Sequence, residues 1–224
     1  MKTRVFPIVS ALALSMSAAF PAVAQDASAV APSQPVAQVA ARPSAAGSLL
    51  EIKARLVAVQ GSVNGTAAAL DKLSKAARGE GDLAAAHKEF MAQYQALSAQ
   101  MNEIGQMGAK ARAGTEQYFK DWQAAVATIQ NKDIRESAME RFNTARERYG
   151  RVLSAADQNK QKVQPFLADM KDINTLLSID MTRDAVKSVS GSTWRLSRSA
   201  EDIVDSIGGI NRSIEIMLES LPRN

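Results

Sequence analysis

The sequence predicts an all-α fold, an elongated antiparallel bundle of about four long coiled-coil-like helices. Apolar or small residues recur at alternating three- and four-residue spacings over four long stretches, as in heptad repeats. Only three short interruptions separate these stretches, which favours antiparallel neighbours. Hydrophobic residues make up 46% of the chain but aromatic residues only 5%. We therefore expect long, alanine-rich helical seams rather than a thick core.

The first helical stretch begins at Ser48, which has the spacing of a capping box with Glu51. The apolar stripe that follows, here called the seam, predicts a helix of about 30 residues. Its members are Leu49, Ile52, Leu56, Val59, Val63, Thr66, Leu70, Leu73 and Ala77. Gly79-Glu80-Gly81 ends the helix, and Asp82 can cap the next one.

The second stretch predicts one helix of about 50 residues. Its seam consists of Leu83, His87, Phe90, Tyr94, Leu97, Met101, Ile104, Gly108, Ala111, Thr115, Tyr118, Trp122, Ala125 and Ile129. Gly105, Gly108 and Gly114 each weaken the helix by about 1 kcal/mol relative to alanine. A break near Gly114 is therefore the main alternative to a continuous helix.

The third stretch follows a turn at 131–133 and repeats the capping pattern with Asp133 and Glu136. Its seam consists of Ala138, Phe142, Ala145, Tyr149, Val152, Ala156, Asn159, Val163, Phe166, Met170, Ile173 and Leu177. Pro165 removes a backbone donor within this helix. We expect a kink about one turn earlier, near Gln161.

The fourth stretch follows a connection at 178–182 and ends at Pro222. Its seam consists of Val186, Val189, Thr193, Leu196, Ala200, Ile203, Ile207, Ile210, Ile214, Met217 and Leu221. Gly208-Gly209 is unfavourable inside a helix. The pair predicts either a close contact with a neighbouring helix or local flexibility.

The unequal helix lengths predict an exposed hairpin tip. The first helix is shorter than the second, so it covers only the first part of its neighbour. The region from Tyr118 to Phe142 should therefore have fewer covering helices than the rest of the bundle. We divide the chain into a signal peptide at 1–24, a flexible Ala/Pro/Ser-rich linker at 25–47 and a helical bundle at 48–221.

Residues 1–24 have the features of an export signal. Lys2 and Arg4 precede an apolar stretch, and Ala22-Val23-Ala24 predicts cleavage before Gln25. The alternative is an uncleaved membrane anchor, for which the apolar stretch is short. No other segment has 18 continuous apolar residues, so we expect no transmembrane segment in the mature chain and a periplasmic or secreted location.

Composition and motifs argue against catalytic, metal and nucleic-acid sites. The chain has no cysteine and one histidine, His87, which is too few for a zinc site. The Glu-x-x-His motif of di-iron bundles and the Gly-x-Ser-x-Gly motif of hydrolases are both absent. Charges of both signs are interleaved, and the net charge is only +4. We expect no enzymatic activity, no cofactor, no metal and no nucleic-acid partner.

The acidic group Glu201, Asp202 and Asp205 is expected to be a solvated helix face rather than a cation site. His87 lies on a seam, where we expect a core or boundary histidine with a hydrogen-bond partner.

Aromatic residues suggest a different kind of site, because they concentrate near the second turn. We name five residues as possible partner contacts: Tyr118, Phe119, Trp122, Phe142 and Trp194. Core packing is the alternative for the first four, and Phe119 and Trp194 lie off their strict seams.

The stretch from Gly81 to Leu218 resembles a bacterial family known as domain of unknown function 2959. The matching features are Gly81-Asp82-Leu83, Phe119-x-x-Trp122, Arg135, the Arg- and Tyr-bearing stretch 141–149, Pro165-Phe166-Leu167 and Ala185-Val186. The resemblance implies an envelope-located coiled-coil protein of uncharacterised function, with no catalytic or ligand residues. This chain lacks the lipoprotein cysteine common in the family, and 178–180 reads Ser-Ile-Asp where the family has Lys-His-Asn.

Two functional hypotheses follow from the sequence. The first is a structural or protein-interaction scaffold in the cell envelope, with a protein partner or a second copy of the chain and with peripheral envelope contact as an option. The alternative is a binding module for an apolar or amphipathic ligand along the seam, where Gly105, Gly108, Gly208 and Gly209 would let the helices open.

Overall fold

A computed structural model describes residues 45–221 of the chain. These residues form five α-helices and no β-strand. The helices are α1 (Ala45–Ala77), α2 (Leu83–Ala127), α3 (Lys132–Ile179), α4 (Arg183–Ser188) and α5 (Ser190–Leu218). The all-α prediction is confirmed. The export signal at 1–24, the cleavage before Gln25 and residues 25–44 of the predicted linker lie outside the described residues. Residues 45–47, which the sequence assigned to the linker, belong to α1.

The first helix begins earlier than its capping pattern suggested. Ser48 lies inside α1, so the predicted capping box at Ser48 and Glu51 does not start the helix. Ala45 and Ala46, which precede Ser48, have high helix propensity and extend the helix toward the N-terminus. At the other end, Gly79 and Gly81 have φ angles of 97° and 144°, the left-handed region that favours glycine and ends a helix.

The second helix is continuous through Gly114, as predicted, and the alternative of a break there is wrong. Asp82 caps it as predicted, because its side-chain carboxylate accepts hydrogen bonds from the backbone N–H groups of Ala84 (2.8 Å) and Ala85 (3.2 Å). The helix ends at Ala127.

The third helix is capped by Asn131 rather than by Asp133. The Asn131 side-chain oxygen accepts a hydrogen bond from the Ile134 backbone N–H at 3.1 Å, and Asp133 lies within the first turn, where a carboxylate favours the helix dipole. The helix continues through Pro165 to Ile179.

The fourth predicted stretch is split into two helices. The side-chain oxygen of Thr182 caps α4 by accepting the Ala185 N–H, and Val189 then leaves helical geometry before α5 begins. The sequence Ser-Val-Ser-Gly-Ser at 188–192 explains the interruption, because serine, valine and glycine have low helix propensity. The seam nevertheless carries on from α4 into α5.

Cross-helix contacts give the order and direction of the helices. α1 runs antiparallel to α2, since Lys72 pairs with Glu89 near one end and Arg55 with Glu103 near the other. α1 is also antiparallel to α5, and α5 to α3. The exposed ion pairs contribute little stability, so they mark the register rather than hold the bundle together.

The core follows the predicted seams of the first, third and fourth stretches closely. Of the third seam, Ala156 is exposed and Ala138 only half-buried, while the other members are buried.

The close approach expected at Gly208-Gly209 is not found. A methyl group on Gly208 would lie at an ordinary distance of 4.0 Å from Gln60 Nε2, and one on Gly209 would meet nothing within 4 Å.

The end of the α2–α3 hairpin extends past the other helices. The Arg55–Glu103 pair places the start of α1 level with about Ala113 of α2. The end of α5 contacts Arg148, which donates hydrogen bonds to the Ile216 carbonyl (2.9 Å) and to Ser220 Oγ (2.8 Å). We call the region from Thr115 to Tyr149 the hairpin tip. Within the described residues it consists of the ends of α2 and α3 and the turn between them, as the unequal lengths predicted, and α5 meets it at its base, at Arg148.

Candidate functional site

The hairpin tip contains a cluster of five aromatic side chains, here called the aromatic cluster. Its members are Tyr118, Phe119, Trp122, Phe142 and Tyr149. Phe119 of α2 is at its centre: its ring centroid lies 5.7 Å from Phe142, 5.7 Å from Tyr149 and 6.3 Å from Trp122. Trp122 also meets Phe142 edge to face, at 5.7 Å and 89°. Such contacts add to the stabilisation from buried area. Four of the five predicted contact residues are therefore brought together.

Phe119 is not an exposed contact, so of the two interpretations of this residue core packing is confirmed. Its side chain is only 7% exposed and joins α2 to α3. Tyr118 and Trp122, which the sequence placed on the buried seam, are instead half-buried and reach the surface beside it. Phe119 is buried because α2 faces α3 in this region, whereas it faces α1 further back.

The change of neighbour shifts the buried stripe along α2. In the tip, the stripe of α2 that packs against α3 consists of Thr115, Phe119, Trp122 and Val126. The heptad seam read from the sequence continues instead through Tyr118, Ala125 and Ile129, of which Ala125 is exposed and the other two half-buried. The tip of α2 thus carries a second apolar stripe that α3 does not fully cover.

This second stripe borders a shallow groove of about 510 Å³ between α2 and α3. Its lining residues, here called the open face, are Tyr118, Asp121, Trp122, Ala138 and Arg141. The aromatic rings and the small Ala138 side chain form an apolar floor, and one charge of each sign stands at the edge. An apolar groove between two helices can accept a third helix or an extended peptide.

A second groove of about 490 Å³ lies on the hairpin tip and is lined by Phe119, Phe142, Tyr149 and Leu153 together with polar and charged residues. Lys120 and Arg146 stand beside it, and neither forms an ion pair among the described residues. Gly150 also lines this groove, where a methyl group would meet nothing within 4 Å.

The two tyrosines of the aromatic cluster remain protonated donors at neutral pH. Burial raises the pKa of Tyr118 above its ordinary value of 10.0, and the nearby Arg141 guanidinium partly offsets this effect. Burial likewise raises the pKa of Tyr149, while the neighbouring Thr115 side chain acts in the opposite direction. Neither phenol has the lowered pKa of an activated nucleophile or base.

Trp194, the fifth predicted contact, is separate from this site. Its side chain is 68% exposed, and the Arg198 guanidinium lies 5.9 Å from its ring centroid in a cation–π arrangement. It stands in the first turns of α5, whereas the last turns of α5 reach the hairpin tip through Arg148.

The titratable groups outside the tip do not gather into a site. His87 is half-buried on α2, and its Nε2 atom has no hydrogen-bond partner among the described residues, contrary to our expectation of one. Burial lowers the pKa of His87 below 6.5. Glu201, Asp202 and Asp205 are exposed. Within residues 45–221, no three side chains of the His, Cys, Asp or Glu type are grouped so that they could hold a metal ion.

The sequence did not predict Asp121, Ala138 and Arg141 as members of the open face. Asp121 and Arg141 each directly precede a seam residue, Trp122 and Phe142. Once α2 and α3 are known to pair antiparallel, such positions are expected at the edges of a groove between them. That pairing was not available from spacing alone.

None of the helices in 45–221 has the combination of length and hydropathy that would cross a membrane.

Comparison with known proteins gives one match. The family model described as "Protein of unknown function (DUF2959)" matches residues 52–217, which covers α1 almost from its start and α5 almost to its end. No curated protein and no solved structure matches the chain.

Proposed function

We propose that this chain, which belongs to that family of proteins of unknown function, is an exported helical scaffold that binds a protein partner through the open face of its hairpin tip. The observation that carries the proposal is the half-buried pair Tyr118 and Trp122 beside Ala138, in the part of the bundle that, among residues 45–221, α2 and α3 build. Tyrosine and tryptophan are enriched at the centres of protein interfaces.

The way the side chains are held supports this proposal. Phe119 and Phe142 pack beneath Trp122 and fix the orientation of its ring. A preordered aromatic ring loses little conformational entropy when a partner covers it. The open face therefore meets two requirements of a binding surface, namely apolar side chains that water still reaches and a rigid support beneath them.

The charges of the hairpin tip support a protein partner rather than nucleic acid. Three ion pairs with i,i+4 spacing combine basic and acidic side chains on the same helices: Lys132–Glu136 lies within the tip, and Arg112–Glu116 and Arg151–Glu147 span its base. Nucleic-acid sites instead need basic groups clustered on one surface. We also propose that the chain is not an enzyme, since both tyrosines have raised pKa values and His87 lies outside the aromatic cluster.

The test is chemical crosslinking in cells that produce the tagged chain. The double variant Tyr118→Ala/Trp122→Ala should lose the crosslinked species seen with the wild type. The matched control is Trp194→Ala, which removes an exposed tryptophan at the other end of α5 and should keep them. Equal loss in both variants, or loss in neither, would contradict the proposal. Removal of residues 1–24 from the recovered protein, read by mass spectrometry, tests the export part.

A second candidate function is binding of a small amphipathic ligand in the other groove. This groove combines the apolar rings of Phe119 and Phe142 with the unpaired cations Lys120 and Arg146, and its volume of about 490 Å³ is within the range of small-molecule sites. Native mass spectrometry of protein from its own cells should then show a bound mass that Lys120→Ala/Arg146→Ala releases. Protein free of any adduct would refute this candidate.

A further inference from the structure

We infer that the partner at the open face is a second copy of this chain, packed against it about a two-fold axis. The inference rests on the proposed function, because it names the occupant of the same surface. It begins from the observation that α1 covers α2 and α5 covers α3 along the rest of the bundle, whereas in the hairpin tip α2 and α3 pack on each other and, among the described residues, α5 meets the tip at its base, at Arg148. Two hairpin tips placed face to face make a four-helix arrangement of the same kind.

The charges at the edges of the open face are self-complementary. Asp121 stands on α2 and Arg141 on α3, on either side of the apolar floor. Neither belongs to an ion pair among the described residues, although Asp121 accepts a hydrogen bond from Gln117 at 2.7 Å. In a two-fold dimer any contact between one residue of the first copy and a different residue of the second occurs twice. Asp121 of one copy would then face Arg141 of the second, twice in each interface.

The heptad pattern supports a helical occupant of this face. The stripe formed by Tyr118, Trp122, Ala125 and Ile129 keeps the three-four spacing of the upstream seam, yet within the chain the hairpin buries another stripe that shares only Trp122 with it. A stripe with this period fits another helix of similar pitch. The small side chain of Ala138 on α3 permits close approach of the second copy.

The contact must extend beyond the five residues of the open face. A stable interface buries about 800 Å² on each side, which is more than such a groove provides. The adjacent apolar residues toward the turn are Ile129, half-buried, and Ile134, 58% exposed. Both lie at the end of the hairpin, so a two-fold packing of tips can cover them together with the groove.

The test uses the full chain as its own cell processes it, with its mass measured by sedimentation equilibrium. The wild type should be a dimer. Asp121→Arg and Arg141→Asp should each place like charges opposite one another and weaken association by roughly tenfold or more. Mixing the two variants should restore the dimer, since Arg at 121 then faces Asp at 141 while the native pair is kept at the other contact. Asp205→Arg, an exposed reversal on α5, is the matched control and should remain dimeric.

Circular dichroism should show the same helical content for all variants. A monomeric wild type, or single variants that dimerise as well as the wild type, would overturn the inference. A mixture that stays monomeric while the wild type dimerises would overturn the two-fold pairing. These failures are distinguishable from failure of the proposed function: a monomer whose crosslinks to other proteins still depend on Tyr118 and Trp122 would retain that function with a different partner.

Discussion

The Phe119 ring meets the Phe142 ring at a centroid distance of 5.7 Å and an interplanar angle of 89°, the edge-to-face geometry that aromatic pairs favour. This contact joins α2 to α3 beyond Arg148, the residue of α3 that the end of α5 contacts. The order of the hairpin tip, and with it the orientation of Trp122, therefore depends on these two side chains.

The first prediction concerns Phe119. Phe119→Ala should lower the free energy of unfolding by about 3 kcal/mol, because it leaves a cavity in the aromatic cluster. Tyr118→Ala should lower it by about 1 kcal/mol or less, since Tyr118 is only half-buried. Urea unfolding followed by Trp122 fluorescence in a Trp194→Phe background measures both. A larger effect at Tyr118 than at Phe119 would contradict the assignment of the buried stripe.

The second prediction concerns the continuity of α2. Gly114→Ala should raise the free energy of unfolding by about 1 kcal/mol, because Gly114 is helical and a methyl group there would meet nothing within 4 Å. The control is Gly79→Ala, which should destabilise the protein since its φ of 97° is unfavourable for alanine. Thermal unfolding compares the two, and a destabilising Gly114→Ala would indicate a break in the helix.

The third prediction concerns Asn159, a polar residue on the seam of α3. Its side chain is 5% exposed, and its Oδ1 atom has no hydrogen-bond partner among the described residues. Asn159→Leu should raise the free energy of unfolding by about 1 kcal/mol, because it replaces an unsatisfied buried polar group by an apolar one of similar shape. Chemical denaturation measures this change. Clear destabilisation would mean that Asn159 has a buried water or other partner.

The fourth prediction is a pH dependence due to His87, the only histidine in the chain. Burial lowers its pKa in the folded state below the unfolded value of 6.5. In the range between the two pKa values the unfolded chain binds more protons, so stability should fall as the pH drops below 6.5 and level off below the folded pKa. NMR titration of the single imidazole gives the folded pKa directly.

The matched variant for this titration is His87→Gln, which keeps a polar side chain of similar size but cannot titrate. It should remove the stability change just below pH 6.5 and leave the acid unfolding due to carboxylates in place. A folded pKa at or above 6.5, or an unchanged pH profile in His87→Gln, would show that the imidazole is not desolvated as the structure indicates.

The sequence predicted most of the fold because the core repeats with the period of the helix. The seams through Val59, Phe166 and Ile207 correspond to buried positions with few exceptions. Helix starts were harder to predict, since Asn131 and Asp133 are both good caps and only the three-dimensional turn decides between them. The Ser- and Gly-rich residues around Val189 indicate an interruption of the helix, but the apolar spacing continues through them and predicts one helix.

The candidate site was only partly predictable. The clustering of Tyr118, Trp122 and Phe142 near one turn was visible in the sequence, but which of Tyr118 and Phe119 faces inward was not. That choice depends on which helix packs against α2, which is α1 in its first part and α3 in the hairpin tip. The spacing of apolar residues does not show which helix is the neighbour. Trp194 resembles Phe119 in lying off its strict seam, yet the structure places it away from the aromatic cluster.

The most direct test of the account places a photo-crosslinking amino acid at Ala138, in the floor of the open face, and compares it with the same substitution at Ala156, an exposed position of α3 outside the hairpin tip. Irradiation of cells producing each variant, followed by mass analysis of the adducts, is the measurement. The account predicts a discrete protein adduct from position 138 and none from position 156. Equal adducts from both positions, or none from 138, would contradict the claim that the open face is the binding surface.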